Sequence, residues 1–272
     1  MGRFHRHDDG TVHSHSHDGA GHGHEHGHHD HGDIPRHHHD QELIGDHSGY
    51  QTGPERIDVL ERIFDENDAA AAANRALLDA NEVVAVNLMS SPGSGKTTVL
   101  GAVLDALNGQ VRCGVVEGDI ETSIDSDRLA NKGAQIALLN TGNGFGGECH
   151  LDAPMVARAL KDLDLPVLDL LFIENVGNLV CPAEFDVGAH AKAMVYSVTE
   201  GEDKPLKYPV MFRTVQAIVV NKIDLLPYLD FSLDLFIENL KSVNPGVRVI
   251  LTSAKTGEGL PDLVDWVLEQ IS

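Results

Sequence analysis

An apolar run at residues 83–90 leads directly into the glycine-rich stretch SSPGSGKTT at residues 90–98, and a helical pattern follows. A glycine loop between a buried strand and a helix, closed by Gly-Lys-Thr, presents backbone N–H groups at a helix N-terminus, where the dipole favours phosphate. The first glycine of the usual G-x-x-x-x-G-K-T pattern is Ser90 here, and a merely flexible glycine turn is the alternative. The arrangement predicts a phosphate-binding loop (P-loop) in an α/β fold.

Apolar runs and amphipathic stretches alternate from Glu82 onward. Near-continuous Val, Ile and Leu runs separated by helices predict a mostly parallel sheet flanked by helices on both faces. Ligands of such sheets bind at the carboxyl ends of the strands. The predicted strands are residues 83–90, 111–118, 135–141, 169–176, 192–199, 217–224 and 247–254. The predicted helices are residues 96–108, 152–164, 232–242 and 260–271. The sequence therefore predicts an α/β P-loop NTPase domain over residues 82–272.

The side chains of the P-loop have separate predicted roles. Gly93 and Gly95 allow the backbone to approach the phosphates without a clash from a Cβ atom. Lys96 is expected to reach the β- and γ-phosphates, and the hydroxyl of Thr97 is expected to bind Mg²⁺. The nucleotide-binding residues predicted in this loop are Gly93, Ser94, Gly95, Lys96, Thr97 and Thr98.

The base is indicated by a separate motif, NKID at residues 221–224. A carboxylate at Asp224 can accept from both the ring N1–H and the exocyclic amine of guanine, a donor pair that adenine lacks. Four common residues on a loop are a weak signal alone, but these follow a buried strand downstream of a P-loop, and SAKTGEGL follows the next strand. GTP is therefore the predicted nucleotide. The predicted base-binding residues are Asn221, Lys222, Asp224, Ser253, Ala254 and Lys255.

Two further strands end in carboxylates that would lie next to the P-loop. EGD supplies Glu117 and Asp119, and ENVG supplies Glu174 and Gly177. Carboxylates in this position suit Mg²⁺, so Asp119 is expected to bind the ion or position water, and Glu174 to act in its outer shell. Gly177 would sense the γ-phosphate through its N–H, and Lys96 completes the predicted catalytic set. For Glu117, a solvated carboxylate in a turn is an equally weighted alternative.

A second metal site is suggested by two segments that carry thiols. TGNGFGGECHLDA at residues 141–153 contains adjacent Cys149 and His150, and Cys181 follows shortly after the ENVG element. Thiolate and imidazole together suit Zn²⁺ or Ni²⁺, although adjacent Cys-His pairs are mostly incidental. One chain offers at most these three ligands, so two chains meeting there could complete a shared site. Cys113, in contrast, alternates within a strand and is expected to be buried core.

Residues 1–47 hold fifteen of the 17 histidines, together with nine Asp and Glu against three Arg. Gly and Asp are abundant and apolar residues few, so this segment is expected to be disordered when metal-free. Imidazole binds Ni²⁺, Cu²⁺ and Zn²⁺, and a flexible chain can bring several to one ion. An expression tag and a solvated tail without metal function are the alternatives. The predicted tail ligands are His22, His24, His26, His28, His29, His31, His37, His38 and His39.

Residues 54–80 separate this tail from the P-loop domain and have helical spacing. Ile57, Leu60, Ile63 and Phe64 would share one face, and an alanine run favours helix, as one helix or two. The segment could dock a partner or cover the edge of the sheet. His190, outside the tail, is expected to be structural or exposed rather than a ligand.

The formal net charge of −22 predicts repulsion from nucleic acid and from anionic membranes. The sequence contains no run of about 18 apolar residues, the length needed to span a bilayer. The first residues are not expected to form a secretory signal. Three cysteines do not make a disulfide framework, so the expected compartment is the reducing cytoplasm.

Taken in order, these motifs resemble the HypB family, the nickel-insertion GTPases of [NiFe]-hydrogenase maturation. The resemblance covers about residues 82–272 and rests on SSPGSGKTT, EGD, GNGFGGECHLDA, ENVGNLVCPAEFD, NKIDLLPY and SAKTGEG. It implies a GTP-hydrolysing metallochaperone with slow intrinsic turnover, and a homodimer that depends on nucleotide and metal. Cys149, His150 and Cys181 match the family's metal residues at the dimer interface.

The resemblance also implies partners: a nickel-binding accessory protein and the precursor of the hydrogenase large subunit. The chain lacks the Cys-rich N-terminal nickel motif of some members and resembles those with a His-rich stretch, which favours a weaker, multi-ion nickel store. Alternatives are a related GTPase serving urease or a cobalamin-dependent mutase, a nickel buffer with incidental GTPase activity, and a generic GTP-dependent switch. The strings ENVGNLVCP and GECHL favour the hydrogenase assignment.

Overall fold

The computed structural model describes residues 4–6, 12–14, 54–119, 129, 132–140 and 150–272. The chain divides into two compact units, residues 1–51 and residues 52–272. In the first unit, strands β1 (Phe4–Arg6) and β2 (Val12–Ser14) pair antiparallel, with His5 opposite His13. The predicted tail ligands between residues 22 and 39 lie outside the described residues.

The second unit is built on one sheet with helices on both faces. Its strands are β3 (Val84–Ser90), β4 (Cys113–Asp119), β5 (Gln135–Asn140), β6 (Leu170–Glu174), β7 (Ala191–Ser197), β8 (Ala217–Asn221) and β9 (Arg248–Leu251). Its helices are α1 (Pro54–Ala80), α2 (Lys96–Leu107), α3 (Ala153–Ala159), α4 (Cys181–Glu184), α5 (Lys204–Lys207), α6 (Pro209–Arg213), α7 (Leu233–Val243) and α8 (Leu260–Gln270). The seven strands pair in parallel in the order β5-β4-β6-β3-β7-β8-β9, which confirms the predicted fold class.

Strand β3 lies at the centre of the sheet, and its alternating side chains enter the core on both faces. Val86 and Leu88 pack into the cluster formed with α2 and α8. Ala85 faces the cluster under α1 and α3, and Met89 faces the one under α6 and α7. Because both faces are covered, the carboxyl ends of the strands are the place where a ligand can approach β3. No helix in the described part of the chain is long and apolar enough to span a bilayer.

Four strands end earlier than the apolar runs predict. The strands predicted to reach residues 176, 199, 224 and 254 stop at Glu174, Ser197, Asn221 and Leu251. At the third of these, Lys222 has a φ of 65°, a left-handed conformation that ends the strand before a 3₁₀ helix at Ile223–Tyr228. The residues beyond each strand therefore leave the sheet and belong to the loops above it.

The predicted helix at residues 152–164 is also shorter than expected. Asp152 caps α3, accepting from the N–H of Met155 at 2.7 Å, but the helix ends at Ala159 and tightens into a 3₁₀ turn at Leu160–Asp162. Leu163 is then extended and buried, which carries the chain towards β6.

Residues 54–80 form one helix, and the two described residues of the predicted apolar face are not part of its buried stripe. Ile63 and Phe64 are 45% and 37% exposed. The side chains of the other two predicted face residues, at positions 57 and 60, lie outside the description. The buried stripe is instead Asn67, Ala71, Asn74 and Leu78. Two amides inside the contact mean that α1 binds the domain by hydrogen bonds as well as by apolar burial.

Candidate functional site

The P-loop connects β3 to α2 through two glycines with left-handed backbone conformations. Gly93 and Gly95 have φ angles of 74° and 93°, and α2 begins at Lys96. The loop lines a cavity of about 300 Å³ together with residues from the ends of β4 and β6. The lining residues beyond the loop are Glu117, Gly118, Glu174, Val176 and Gly177. The structure thus brings the predicted phosphate-binding loop and the predicted ENVG segment to one cavity.

Glu174 connects the end of β6 to the start of α2. Its Oε1 accepts from Lys96 Nζ and from Thr97 Oγ1, each at 2.6 Å. Its Oε2 is buried and has no hydrogen-bond partner among the described residues. A carboxylate with an unused oxygen beside a threonine hydroxyl is a donor set that suits Mg²⁺, which prefers oxygen ligands.

Glu117 lies opposite Glu174 in the register of β4 and β6, and each residue is 2% exposed. The alternative that Glu117 is a solvated turn carboxylate is therefore wrong, because the residue belongs to a central strand and lines the cavity. The side chain of Asp119, the last residue of β4, lies outside the description, so its predicted role stays a prediction.

Asn221 ties the P-loop to the base-binding loops. Its Nδ2 donates to the carbonyl of Ser94 at 2.9 Å, and its Oδ1 accepts from the N–H of Ala254 at 3.1 Å. A Cβ at Gly95 would lie 2.6 Å from Asn221 Nδ2, so the loop requires glycine there for space as well as for its φ. The amide holds three segments distant in sequence at fixed separation.

The other predicted base-binding residues meet beside that amide. Lys222 Nζ donates to the carbonyl of Gly93 at 2.6 Å, and Ser253 Oγ donates to Asp224 Oδ1 at 2.6 Å. A second cavity, of about 290 Å³, is lined by Gly95, Thr98, Asn221, Lys222, Asp224, Leu225, Ala254 and Lys255. The carboxylate of Asp224 is thereby oriented at a pocket that adjoins the phosphate cavity.

One carboxylate at this site was missed by sequence reasoning. Glu200 Oε2 accepts from the hydroxyl of Ser91 in the P-loop, and its Oε1 accepts from the N–H of Ser197 at 2.9 Å. Burial raises the pKa of Glu200, although these hydrogen bonds oppose the rise. Ser197 and Glu200 form a capping box at the end of β7, and the S-x-x-E spacing was a signal that could have revealed it.

The two predicted metal-binding segments lie side by side. The ring of His150 lies 4.1 Å from that of Phe185, the residue directly after helix α4, which begins at Cys181. Phe185 also stacks on Phe64 of α1 at 5.2 Å. Cys149 lies outside the described residues, and within those residues no three His, Cys, Asp or Glu side chains converge as a metal site. The three-ligand site therefore stays a prediction.

Two asparagines of α1, also missed from the sequence, bridge these metal-binding segments. Asn67 Oδ1 accepts from the N–H of Ala153, and its Nδ2 donates to the carbonyl of Asp186, both at 2.9 Å. Asn74 Nδ2 donates to the carbonyls of Ala153 at 2.9 Å and Val187 at 3.2 Å. Asparagines among many polar residues of a helix gave no local sequence signal that they bridge two loops.

Two side chains set aside as structural are confirmed in that role. His190 Nδ1 accepts from the N–H of Ala85 at 2.9 Å, and its Nε2 lies 2.9 Å from Asp79 Oδ1 on α1. Cys113 is 5% exposed, and burial raises the pKa of its thiol to about 12, which keeps it protonated.

Comparisons with known proteins agree with this geometry. The model of the CobW/HypB/UreG nucleotide-binding domain family matches residues 84–251. The hydrogenase maturation factor HypB of Escherichia coli (strain K12) is 45% identical over 233 residues, which cover 86% of this chain and 79% of that protein. The crystal structure of HypB from Archaeoglobus fulgidus is 35% identical, with a TM-score of 0.71 over 76% of this chain and all of that chain. The crystal structure of HypB from Helicobacter pylori in complex with nickel is 37% identical, with a TM-score of 0.70 over 76% of this chain and 95% of that chain.

Proposed function

The chain belongs to the HypB family of hydrogenase maturation factors, and from this premise we propose that it is a GTP-hydrolysing metallochaperone for nickel. It would bind nickel and assist its insertion into [NiFe]-hydrogenase. The observation that carries the proposal is the segment from Glu174 to Cys181. It contacts Lys96 and Thr97 of the P-loop at one end and carries a candidate nickel thiolate at the other.

Guanine selection is assigned to Asp224. Ser253 orients its carboxylate, and Asn221 fixes the surrounding loop to the P-loop. The N1–H and the exocyclic amine of guanine would donate to the two carboxylate oxygens, while Ala254 and Lys255 cover the base. Charge-assisted hydrogen bonds of this kind contribute about 1.5–3 kcal/mol each.

Phosphate binding and hydrolysis are assigned to the P-loop and its flanking carboxylates. Lys96 would neutralise the β- and γ-phosphates, with Gly93, Ser94, Gly95 and Thr98 presenting backbone N–H groups. Thr97 and Asp119 would hold Mg²⁺, with Glu174 in its outer shell, and the ion supplies charge neutralisation at the phosphates when bound. The N–H of Gly177 would meet the γ-phosphate, so the ENVG segment would change position when that phosphate is lost. Turnover without a partner is expected to be slow.

Nickel is the cargo, and Cys149, His150 and Cys181 are its proposed ligands. Thiolate and imidazole bind Ni²⁺ well, and Zn²⁺ is an alternative occupant of the same donor set. One chain supplies three ligands, so a second copy would complete the site in a nucleotide- and metal-dependent homodimer. Val180, 51% exposed beside Cys181, supports a contact that would cover this segment.

The histidines of residues 1–47 are proposed to store further nickel ions. Their number and spacing support several weak sites rather than one tight site. A nickel-binding accessory protein and the precursor of the hydrogenase large subunit are the proposed partners, in the cytoplasm. If the chain were primarily a buffer, deleting residues 1–47 would abolish its role in cells. A maturation GTPase would keep hydrogenase activation when nickel is ample.

The decisive experiment follows nickel bound to thiolate in the full-length protein. Sulfur-to-nickel charge-transfer absorption reports only on cysteine, and residues 1–47 contain none, so the tail does not contribute. Free Ni²⁺ is set with a chelator buffer, with and without competing Zn²⁺, which gives no such band, in GDP and in a non-hydrolysable GTP analogue, while molecular mass is followed. We expect a saturable band whose midpoint and dimer fraction depend on the nucleotide.

Cysteine variants complete this test. Cys149→Ala and Cys181→Ala are expected to abolish or weaken the band, whereas Cys113→Ala, a matched change in the core, should leave it intact. Unaltered nickel affinity in both site variants would overturn the assignment of the ligands. A band that ignores the nucleotide would overturn the proposal that GTP controls nickel binding.

A further inference from the structure

The side chain of Asn175 lies between the phosphate cavity and the segment that carries His150. Asn175 follows Glu174 at the end of β6 and is fully buried. Its Oδ1 accepts from the N–H of Leu151 at 3.0 Å and from the N–H of Val176 at 2.9 Å. One carbonyl oxygen therefore links the ENVG segment to the residue directly after His150.

The amide is held in one orientation by the centre of the sheet. Its Nδ2 donates to Asn87 Oδ1 at 3.5 Å, and the backbone N–H of Asn175 donates to the carbonyl of Leu88 at 3.0 Å. Because the amine end faces β3, the oxygen faces Leu151. A buried N–H without an acceptor is unfavourable, so Leu151 is expected to follow the amide when ENVG moves.

Leu151 is also packed firmly, so a displacement would reach its neighbour rather than be absorbed. Its side chain is fully buried over Gly118 of β4, where a Cβ would lie 2.7 Å from Leu151 Cδ2. Two residues later, the N–H of Ala153 is held by Asn67. Asn175 holds the segment at the N–H of Leu151, and Asn67 holds it at the N–H of Ala153. His150 directly precedes the first of these two anchored residues.

Given the metal site proposed above, we propose that Asn175 is a positioning residue that couples the nucleotide state to His150. Cys181 is joined to ENVG through the backbone, six residues beyond Asn175, whereas His150 is joined to it through this hydrogen bond. Both halves of the metal site then respond to one movement. Without the bond, the nucleotide would act on Cys181 alone.

The test compares nickel affinity in two nucleotide states rather than affinity itself. In the full-length protein, the charge-transfer midpoint is measured at buffered Ni²⁺ with GDP and with a non-hydrolysable GTP analogue. We expect a wild-type ratio of at least about fivefold, the lower end of typical coupling between sites. In Asn175→Ala the ratio is expected to fall towards one, because only the backbone link from the ENVG segment to Cys181 remains. Asn175→Asp keeps acceptors for both N–H groups and is expected to retain most of the ratio.

Asn244→Ala is the matched control, because the Asn244 side chain likewise joins two backbone groups away from the metal segments. Its Nδ2 donates to the carbonyls of Phe212 at 2.9 Å and Val215 at 3.0 Å. It should lose comparable stability and keep the wild-type ratio. If Asn175→Ala weakens nickel binding equally in both nucleotide states, the residue is merely structural and the coupling role is overturned. A wild-type ratio of one would contradict the proposed nucleotide control itself, and this coupling with it.

A measurement on the wild-type protein covers the case in which Asn175→Ala does not fold. The amides of Leu151 and Val176 share one acceptor, so their NMR resonances should both shift between the GDP and GTP-analogue complexes. A shift of the Val176 resonance with an unchanged Leu151 resonance would overturn the proposal, whereas shifts of both resonances support it.

Discussion

The nucleotide half and the proposed metal half of this site are held in place by different kinds of contact. The nucleotide half comprises the P-loop (residues 90–98) and the loops at residues 221–224 and 253–255, and the metal half comprises residues 150–153 and 175–187. In the nucleotide half, left-handed glycines and strand ends fix the backbone within each motif, and Asn221, itself a motif residue, ties the motifs together. In the metal half, amides of residues that are not candidate ligands set the spacing of two segments: Asn67 and Asn74 lie on α1, and Asn175 lies in the ENVG segment.

The difference shows that a local motif is sufficient to build the phosphate site, whereas contacts between distant segments are needed to build the proposed metal site. A P-loop contains its own geometry, because its glycines and helix N-terminus supply the phosphate contacts directly. The metal half depends on Asn67, Asn74 and Asn175, none of which is a candidate ligand. Substitutions in the nucleotide half should therefore act mainly on GTP, and substitutions of these amides mainly on nickel.

The largest expected effect is on base recognition, through Asp224→Asn. An amide offers a donor where guanine also presents a donor, so two charge-assisted hydrogen bonds of about 1.5–3 kcal/mol each are lost. GTP affinity should fall roughly a hundredfold or more. Affinity for xanthosine triphosphate, which has a carbonyl in place of the exocyclic amine of guanine, should rise. Titration calorimetry with both nucleotides measures the exchange. Equal weakening for both would place the base elsewhere.

Gly177→Ala should have a smaller effect on nucleotide affinity, and its size should differ between nucleotides with two and with three phosphates. A Cβ there would lie 3.1 Å from Pro92 N and Cα, so ENVG and the P-loop would have to separate. Overpacking of this kind costs roughly 1–3 kcal/mol, and we expect the GTP analogue to weaken more than GDP. Gly246→Ala, with no atom within 4 Å of the added Cβ, is the control for glycine replacement. Identical losses for both nucleotides would argue against γ-phosphate sensing at Gly177.

The same division explains how much could be predicted from the sequence. The parallel sheet, the P-loop and the base loop follow from apolar runs and short motifs, because the residues within each motif are adjacent in sequence. The hydrogen bonds that hold α1 to the domain were not predicted, since apolar spacing drew attention to Ile63 and Phe64 while Asn67 and Asn74 make those bonds. A buried asparagine that bridges two loops is indistinguishable in sequence from a solvated one, because its partners are backbone groups far along the chain.

Asn67→Ala should sharpen the comparison within the metal half. Loss of the amide leaves the N–H of Ala153 and the carbonyl of Asp186 without their partner, at a cost to stability of about 1–3 kcal/mol. The sulfur-to-nickel band should weaken while GDP affinity stays close to wild type. Asn244→Ala should lose similar stability with an unchanged band. If the Asn67 variant loses GDP affinity as strongly as it loses nickel, the two halves do not separate as described.

The smallest effect is expected for the thermal stability of Asp169→Asn. Asp169 lies at the amino ends of the strands, which belong to neither half of the site. There the hydrogen bond and charge of Arg112 lower the pKa of Asp169 to about 2 from an ordinary value of 3.8. The contribution of this pair is therefore present above pH 3.8 and is lost as the pH falls towards 2. Because the pair is largely exposed, Asp169→Asn should lower the melting temperature at pH 7 by less than Asn244→Ala does.

That small difference should disappear as the pH approaches 2, where wild-type Asp169 is itself protonated. Thermal melts of wild type and variant from about pH 1.5 to about pH 7, which bracket the shift, measure this convergence. Nickel and nucleotide affinities should not change, since no contact joins this pair to the described residues of either half. A changed nucleotide-dependent nickel ratio in Asp169→Asn would mean that coupling passes through the body of the sheet, and the assignment of control to a few amides would have to be abandoned.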